Sequence, residues 1–232
     1  MRSAGCIVND ILDRKFDEKV FRTKDRPIAS GKISVKLGLF YASILCLVAF
    51  LVLINFNFFT IIIALASMPL AFTYPLMKRL TYWPQLFLGI TFNYGLILGW
   101  TSINAEINLL PLIFYFGAIF WTLGYDTIYG FQDIKDDEII GLKSTSIKFK
   151  SNPIIFLYIC YTIFLLSLIM VGYLSEFNKL YFIFLVIIIY QMYILQIKNF
   201  NSGEPLSCFK IFKSNNILGM LIFVSLLTGK LN

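Results

Sequence analysis

The chain has no histidine and few charges: Asp, Glu, Lys and Arg make up 14% of 232 residues, against roughly 25% in a typical globular protein. Its four cysteines (Cys6, Cys46, Cys160, Cys208) lie far apart with no CxxC pair. Neither a zinc centre nor a disulfide framework is expected. The opening "MRSAGCIVND" has no charged stretch leading into an apolar one, so it does not read as a secretory leader. The net charge of +7 is not gathered into a basic domain with interleaved aromatics, which argues against a nucleic-acid partner. The bland reading of the first acidic stretch, "NDILDRKFD", is a solvated N-terminal turn.

What remains is apolar. Hydrophobic residues make up 58% of the chain and the mean hydropathy is +0.77, so the fold class is an all-α polytopic membrane bundle. Seven runs approach the ~20 helical residues a bilayer core requires: 37–56, 59–77, 85–104, 109–130, 153–174, 179–197 and 215–231. The last is short and is expected to be tilted or partly interfacial. With seven spans, 18 of the 20 lysines and arginines fall on one side, leaving Lys179 and Lys230 on the other. That asymmetry marks the cytoplasmic face. The same face holds every Asp and Glu except Glu106 and Glu176, and positive-inside sorting does not require this.

The acids form two clusters. In a helix, Asn9, Asp10, Asp13 and Asp17 fall within an arc of ~100°. On one continuous helix, Asp126, Asp133 and Asp137 fall within ~40°. Stacked carboxylates repel one another where the dielectric is low, and a divalent cation removes that cost. An oxygen-only ligand set without His or Cys selects a hard ion such as Mg²⁺, which takes its remaining ligands from water and phosphate. Two facing clusters could then hold a diphosphate. Each cluster is followed by cations: Arg22, Lys24 and Arg26 after the first, Lys143 after the second. They suit phosphate oxygens, although topological anchoring explains Lys19 and Lys24 better. Lys78 and Arg79 close the second span; helix-end cations commonly snorkel, and Arg79 could instead form a fork for the carboxylate of a small acceptor.

These stretches resemble a known family. "MRSAGCIVNDILDRKFD", "RTKDRPIASG", "YPLMKR", "YDTIYGFQDIKDD" and "GLKST" look like the intramembrane aromatic prenyltransferases, in particular the 4-hydroxybenzoate polyprenyltransferase branch of ubiquinone biosynthesis. The likeness runs nearly the whole chain. It implies nine helices around a central apolar cavity under a cytoplasmic polar cap, with polyprenyl diphosphate and 4-hydroxybenzoate as substrates. By the same resemblance, Asn9, Asp13, Asp17, Asp133 and Asp137 are Mg²⁺-diphosphate ligands, with Asp10 and Asp126 in support. Arg22, Arg26 and Lys143 are expected on the diphosphate and Arg79 on the benzoate carboxylate. Asn215 and Asn216 also match the family pattern, without a role. The implied site is the bacterial inner membrane, ranked ahead of the mitochondrial one. The resemblance places this chain as one transmembrane domain, residues 1–232, that opens in what would be the family's second span. Rival readings are another aromatic acceptor (homogentisate, naphthoate, haem or a chlorophyll precursor), a cation transporter, or an inactive truncated remnant.

Overall fold

The computed structural model describes residues 1–20 and 22–231. These residues form helices and turns with no strand. A first helix, α1 (Arg2–Asp17), leads through a run of turns to α2 (Val35–Leu53). Then follow α3 (Phe58–Ala66), α4 (Met68–Thr73), a 3₁₀ turn (Tyr74–Leu76) and α5 (Met77–Leu80), which together make one span. After α6 (Pro84–Asn104) and α7 (Leu109–Gly130) come two short helices between spans, α8 (Ile134–Ile140) and α9 (Thr145–Lys148). The chain ends with α10 (Pro153–Leu174), α11 (Lys179–Ile189) running into a wider turn (Tyr190–Ile197), and α12 (Pro205–Gly229). Among the described residues, seven segments are long and apolar enough to cross a membrane. The protein is a multi-pass membrane protein.

Local chemistry sets the ends. Ser34, Asn57, Asn108 and Asn178 accept backbone N–H groups at the starts of α2, α3, α7 and α11, and proline opens α6, α10 and α12. Side-chain caps and a first-turn proline both suit positions whose N–H groups lack intrahelical partners. The core lies where α7 packs between α6 and α10, with α11 and α12 behind. Small residues permit the contacts: a Cβ on Gly124 of α7 would lie 2.5 Å from the Tyr161 ring of α10.

Two spans differ from the sequence reading, and a third keeps its expected bounds but breaks the expected acidic stripe. The last begins at Pro205, ten residues earlier than the apolar run suggested, and spans 25 residues rather than a short interfacial piece. Lys210 and Lys213 had depressed the hydropathy there, yet Cys208 and Ile211 beside them are buried. The second span runs on past residue 77 to Leu80 and is broken, because Pro69 and Pro75 each withhold an N–H and force the 3₁₀ turn. The fourth span stops at Gly130, so no continuous helix joins Asp126 to Asp133 and Asp137. Phe131 to Asp133 form a turn, and Asp133 becomes the residue preceding α8.

Candidate active site

A cavity of about 280 Å³ opens at the end of the bundle where α7 gives way to α8. It collects both acidic clusters. From α1 come Asn9 and Asp17; from α7 and α8 come Asp126, Asp133 and Asp137; and Arg22, Arg26, Lys78 and Lys143 complete its charged wall. The break after Gly130 turns α8 back over the mouth, which keeps the second cluster facing the first despite the lost helical register. At this end the cavity lining mixes charged residues of both signs with apolar ones such as Phe16, Val20 and Leu88, where a polar cap was expected.

Three of these cations, Arg22, Arg26 and Lys78, are engaged with acids. Arg22 donates from Nε to both oxygens of Asp133 at 3.0 and 2.9 Å, and from Nη1 to the Tyr129 hydroxyl at 2.9 Å. Its Nη2 also contacts Asp133. Arg26 bridges Asp10 and Asp17, each at 3.0 Å. Lys78 donates to Asp13 at 2.5 Å. Asp13 is only 1% exposed and does not line the cavity; it holds Lys78, which does. Arg79 is likewise kept out of the cavity: it donates to the Leu12 carbonyl at 2.6 Å, lies 3.6 Å from Asp13 and sits over the Phe16 ring.

Among the described residues, the side chains of Asn9, Asp126 and Asp137 make no hydrogen bond although all three line the cavity. Burial, and then the neighbouring Asp133, push the Asp137 carboxyl up to about 6, against the pull of Lys78 and Arg22. Asp10 is also raised, chiefly by burial, with Arg26 opposing. The protein therefore presents carboxylates that have lost water without gaining full compensation, a common signature of functional sites.

The loop after α8 is fixed from three sides. Gly141 takes a left-handed conformation (φ 74°) to end α8, the Lys143 N–H donates to the Lys78 carbonyl at 2.8 Å, and the Thr145 N–H donates to Gln85 Oε1 at 3.0 Å. Lys143 Nζ rests on the Leu80 carbonyl at 3.2 Å, at the cavity edge.

Two residues outside the expected set, Tyr129 and Lys78, line the cavity, and a third, Arg2, lies beyond its lining. Tyr129 partners Arg22 and packs against Phe212, ring centroids 4.4 Å apart; its position three after Asp126, on the same helical face, was a legible signal. Lys78 was noticed in the sequence only as an anchor. Arg2 stands seven residues before Asn9, hence on the same face of α1 and ~10 Å further along it. Its guanidinium lies over the Phe92 ring of α6, 5.6 Å from the centroid.

The UbiA prenyltransferase family model matches residues 1–226. The chain belongs to this family. Over its full length it is 42% identical to the mitochondrial 4-hydroxybenzoate polyprenyltransferase of Bos taurus, covering 62% of that protein. It is 39% identical to 4-hydroxybenzoate geranyltransferase 2 of Lithospermum erythrorhizon, covering 76%, and 40% identical to the 4-hydroxybenzoate octaprenyltransferase of Psychromonas ingrahamii, covering 80%. The chain thus spans less than two thirds of the bovine protein's length. A solved UbiA homolog from Aeropyrum pernix K1 superimposes with a TM-score of 0.82 at 22% identity, over 97% of this chain and 85% of that one. The seven-span UbiA bundle described here therefore has the family's fold.

Proposed function

We propose that this chain transfers a polyprenyl group from polyprenyl diphosphate to 4-hydroxybenzoate, at the ring carbon ortho to the hydroxyl, in ubiquinone biosynthesis. The observation that carries the reading is the meeting of two acidic segments, residues 9–17 and 126–137, around one cation-lined cavity. Similarity to 4-hydroxybenzoate prenyltransferases from animals, a plant and a bacterium supports the choice of acceptor. We place the activity in a bacterial inner membrane, with the acidic face cytoplasmic as the lysine and arginine distribution directs.

Members of the family use a divalent metal in diphosphate departure. The donor set here fits magnesium. It offers oxygen alone, and Asn9 and Asp137 are without side-chain partners among the described residues. Those residues include no group of three or more His, Cys, Asp or Glu able to hold an ion unaided. An ion held here would have to complete its shell with water and substrate phosphate. Asn9, Asp17, Asp133 and Asp137 would hold it, with Asp13 acting through Lys78. When bound, the ion supplies positive charge to the diphosphate oxygens.

The chain's own residues do the rest. The allylic C–O bond breaks with its electron pair leaving on the diphosphate, and Lys78, Lys143, Arg22 and Arg26 meet that developing charge. The ring then forms the new C–C bond with its π electrons and loses a proton to restore aromaticity. Asp126 lies deepest among the cavity acids on α7, and we assign it that proton. The acceptor's carboxylate needs a cation deeper than the diphosphate site. We assign it to Arg2, because Arg79 is turned onto α1. The apolar helices exclude water from the allylic cation.

The transporter reading gains no support, since among the described residues Glu106 and Glu176 do not line the cavity. The deciding experiment supplies radiolabelled prenyl diphosphate and magnesium to membranes carrying the chain, with each candidate aromatic acceptor in turn. Prenylated 4-hydroxybenzoate, lost on chelation by EDTA, is the expected product. Transfer to homogentisate or naphthoate instead, or no transfer, overturns the assignment.

A further inference from the structure

Arg22 is held in an unusual way for a residue expected to bind phosphate. Its fork is closed on both oxygens of Asp133, and the same guanidinium donates to Tyr129 and lies over that ring, 5.2 Å from the centroid. Asp133 is 16% exposed at the side chain and Arg22 39%. The pair joins the turns after α1 to the junction of α7 and α8. Tyr129 itself is held by Phe212, which also packs on Tyr125.

Two partners therefore grip Arg22 with different consequences. The Asp133 contact occupies a carboxylate that the proposed function needs for a metal ion. The Tyr129 contact does not: a phenol carries no charge to neutralise and can stay bound while Arg22 changes its anionic partner. A free Mg²⁺ ion approaching Asp133 must displace a bidentate guanidinium and leave it unpaired at the cavity wall. A magnesium diphosphate brings its own anionic oxygens, so one charge-assisted pair replaces another.

We propose that Arg22 is the resident counter-cation of the second acidic cluster and competes with magnesium for Asp133, passing to the diphosphate as the ion enters while Tyr129 keeps its position. Arg22 thereby makes the site select metal-bound diphosphate over the bare metal. Tyr129 is a positioning residue. This inference rests on the diphosphate-binding reading above.

The test is binding, independent of turnover. The purified full chain in detergent micelles is titrated with magnesium alone, and with inorganic pyrophosphate at saturating magnesium. Removing a charge-assisted partner changes affinity by about tenfold or more. Arg22→Gln is thus expected to tighten magnesium binding by about tenfold while weakening pyrophosphate binding by about tenfold. Tyr129→Phe is expected to leave magnesium binding unchanged and weaken pyrophosphate several-fold. A purely structural role would move both affinities in the same direction. Arg22→Lys, whose ammonium cannot close on both oxygens, is expected to show the Gln pattern at smaller size and serves if the Gln variant does not fold. Parallel losses in the Arg22 variants, or unchanged magnesium binding in them, overturn the exchange. Equal effects of Tyr129→Phe on both ligands also overturn it. If the unaltered chain binds no magnesium pyrophosphate, the diphosphate site falls and this inference falls with it.

Discussion

Lys78 and Asp13, 65 residues apart, meet at 2.5 Å, and the carboxylate is almost completely withdrawn from solvent. This contact ties the broken second span to α1 and holds a cation at the cavity wall. Asp13 Oδ1 has no hydrogen bond, and its other cation, Arg79, lies at 3.6 Å. Lys78→Met should therefore leave a buried charge poorly compensated. The expected cost is about 3 kcal/mol, at the low end for broken buried pairs because Lys78 is partly exposed. Adding Asp13→Leu should restore most of the loss, which thermal unfolding in detergent would measure. A double variant as unstable as the single one would remove the pair from the account.

The two acidic clusters should fail alike in catalysis. Asp17→Ala and Asp133→Ala are each expected to lower transfer by about 100-fold or more, the scale seen when preorganised charge stabilisation is removed. Radiolabelled product from membranes is the readout. Near-normal turnover in either variant would show that its carboxylate does not serve the donor.

Arg2 and Arg79 separate the two possible acceptor forks. Loss of a charge-assisted contact to a carboxylate is worth about 10- to 100-fold, so Arg2→Ala should raise the KM for 4-hydroxybenzoate by that factor. Arg79→Ala, which removes contacts to Leu12 and Asp13, should lower the Tm with little change in that KM. The reverse pattern would return the fork to Arg79.

Asp137 gives a pH signature. Its folded pKa of about 6 lies above the ordinary 3.8, so the folded chain takes up a proton more readily than the unfolded one. The group favours folding at low pH, and that contribution disappears as pH rises through about 6. Asp137→Asn should accordingly raise the Tm of the metal-free protein at pH 7.5, by about 2–4 °C for each kcal/mol relieved, and confer no advantage at pH 4. It should also weaken magnesium pyrophosphate. Tm measured at the two pH values, alongside pyrophosphate titration, checks both. Equal effects at both pH values would contradict the burial argument.

Much of this was legible in one dimension. Seven apolar runs determined an all-helical membrane bundle, because a bilayer demands continuous helices of fixed length, and the placement of Lys and Arg predicts its orientation. Helical spacing grouped Asn9, Asp10, Asp13 and Asp17, since they share an unbroken helix. The same rule failed at Asp126, Asp133 and Asp137: a turn follows Gly130, and periodicity carries no information across a turn. Only the tertiary structure decided which cation faces which acid. Arg22 on Asp133, Lys78 on Asp13 and Arg79 on the Leu12 carbonyl are choices made by helix packing and the proline-induced break near Pro75. Flexible, multiply rotatable side chains take their partners from the space around them, and sequence separation does not encode that space.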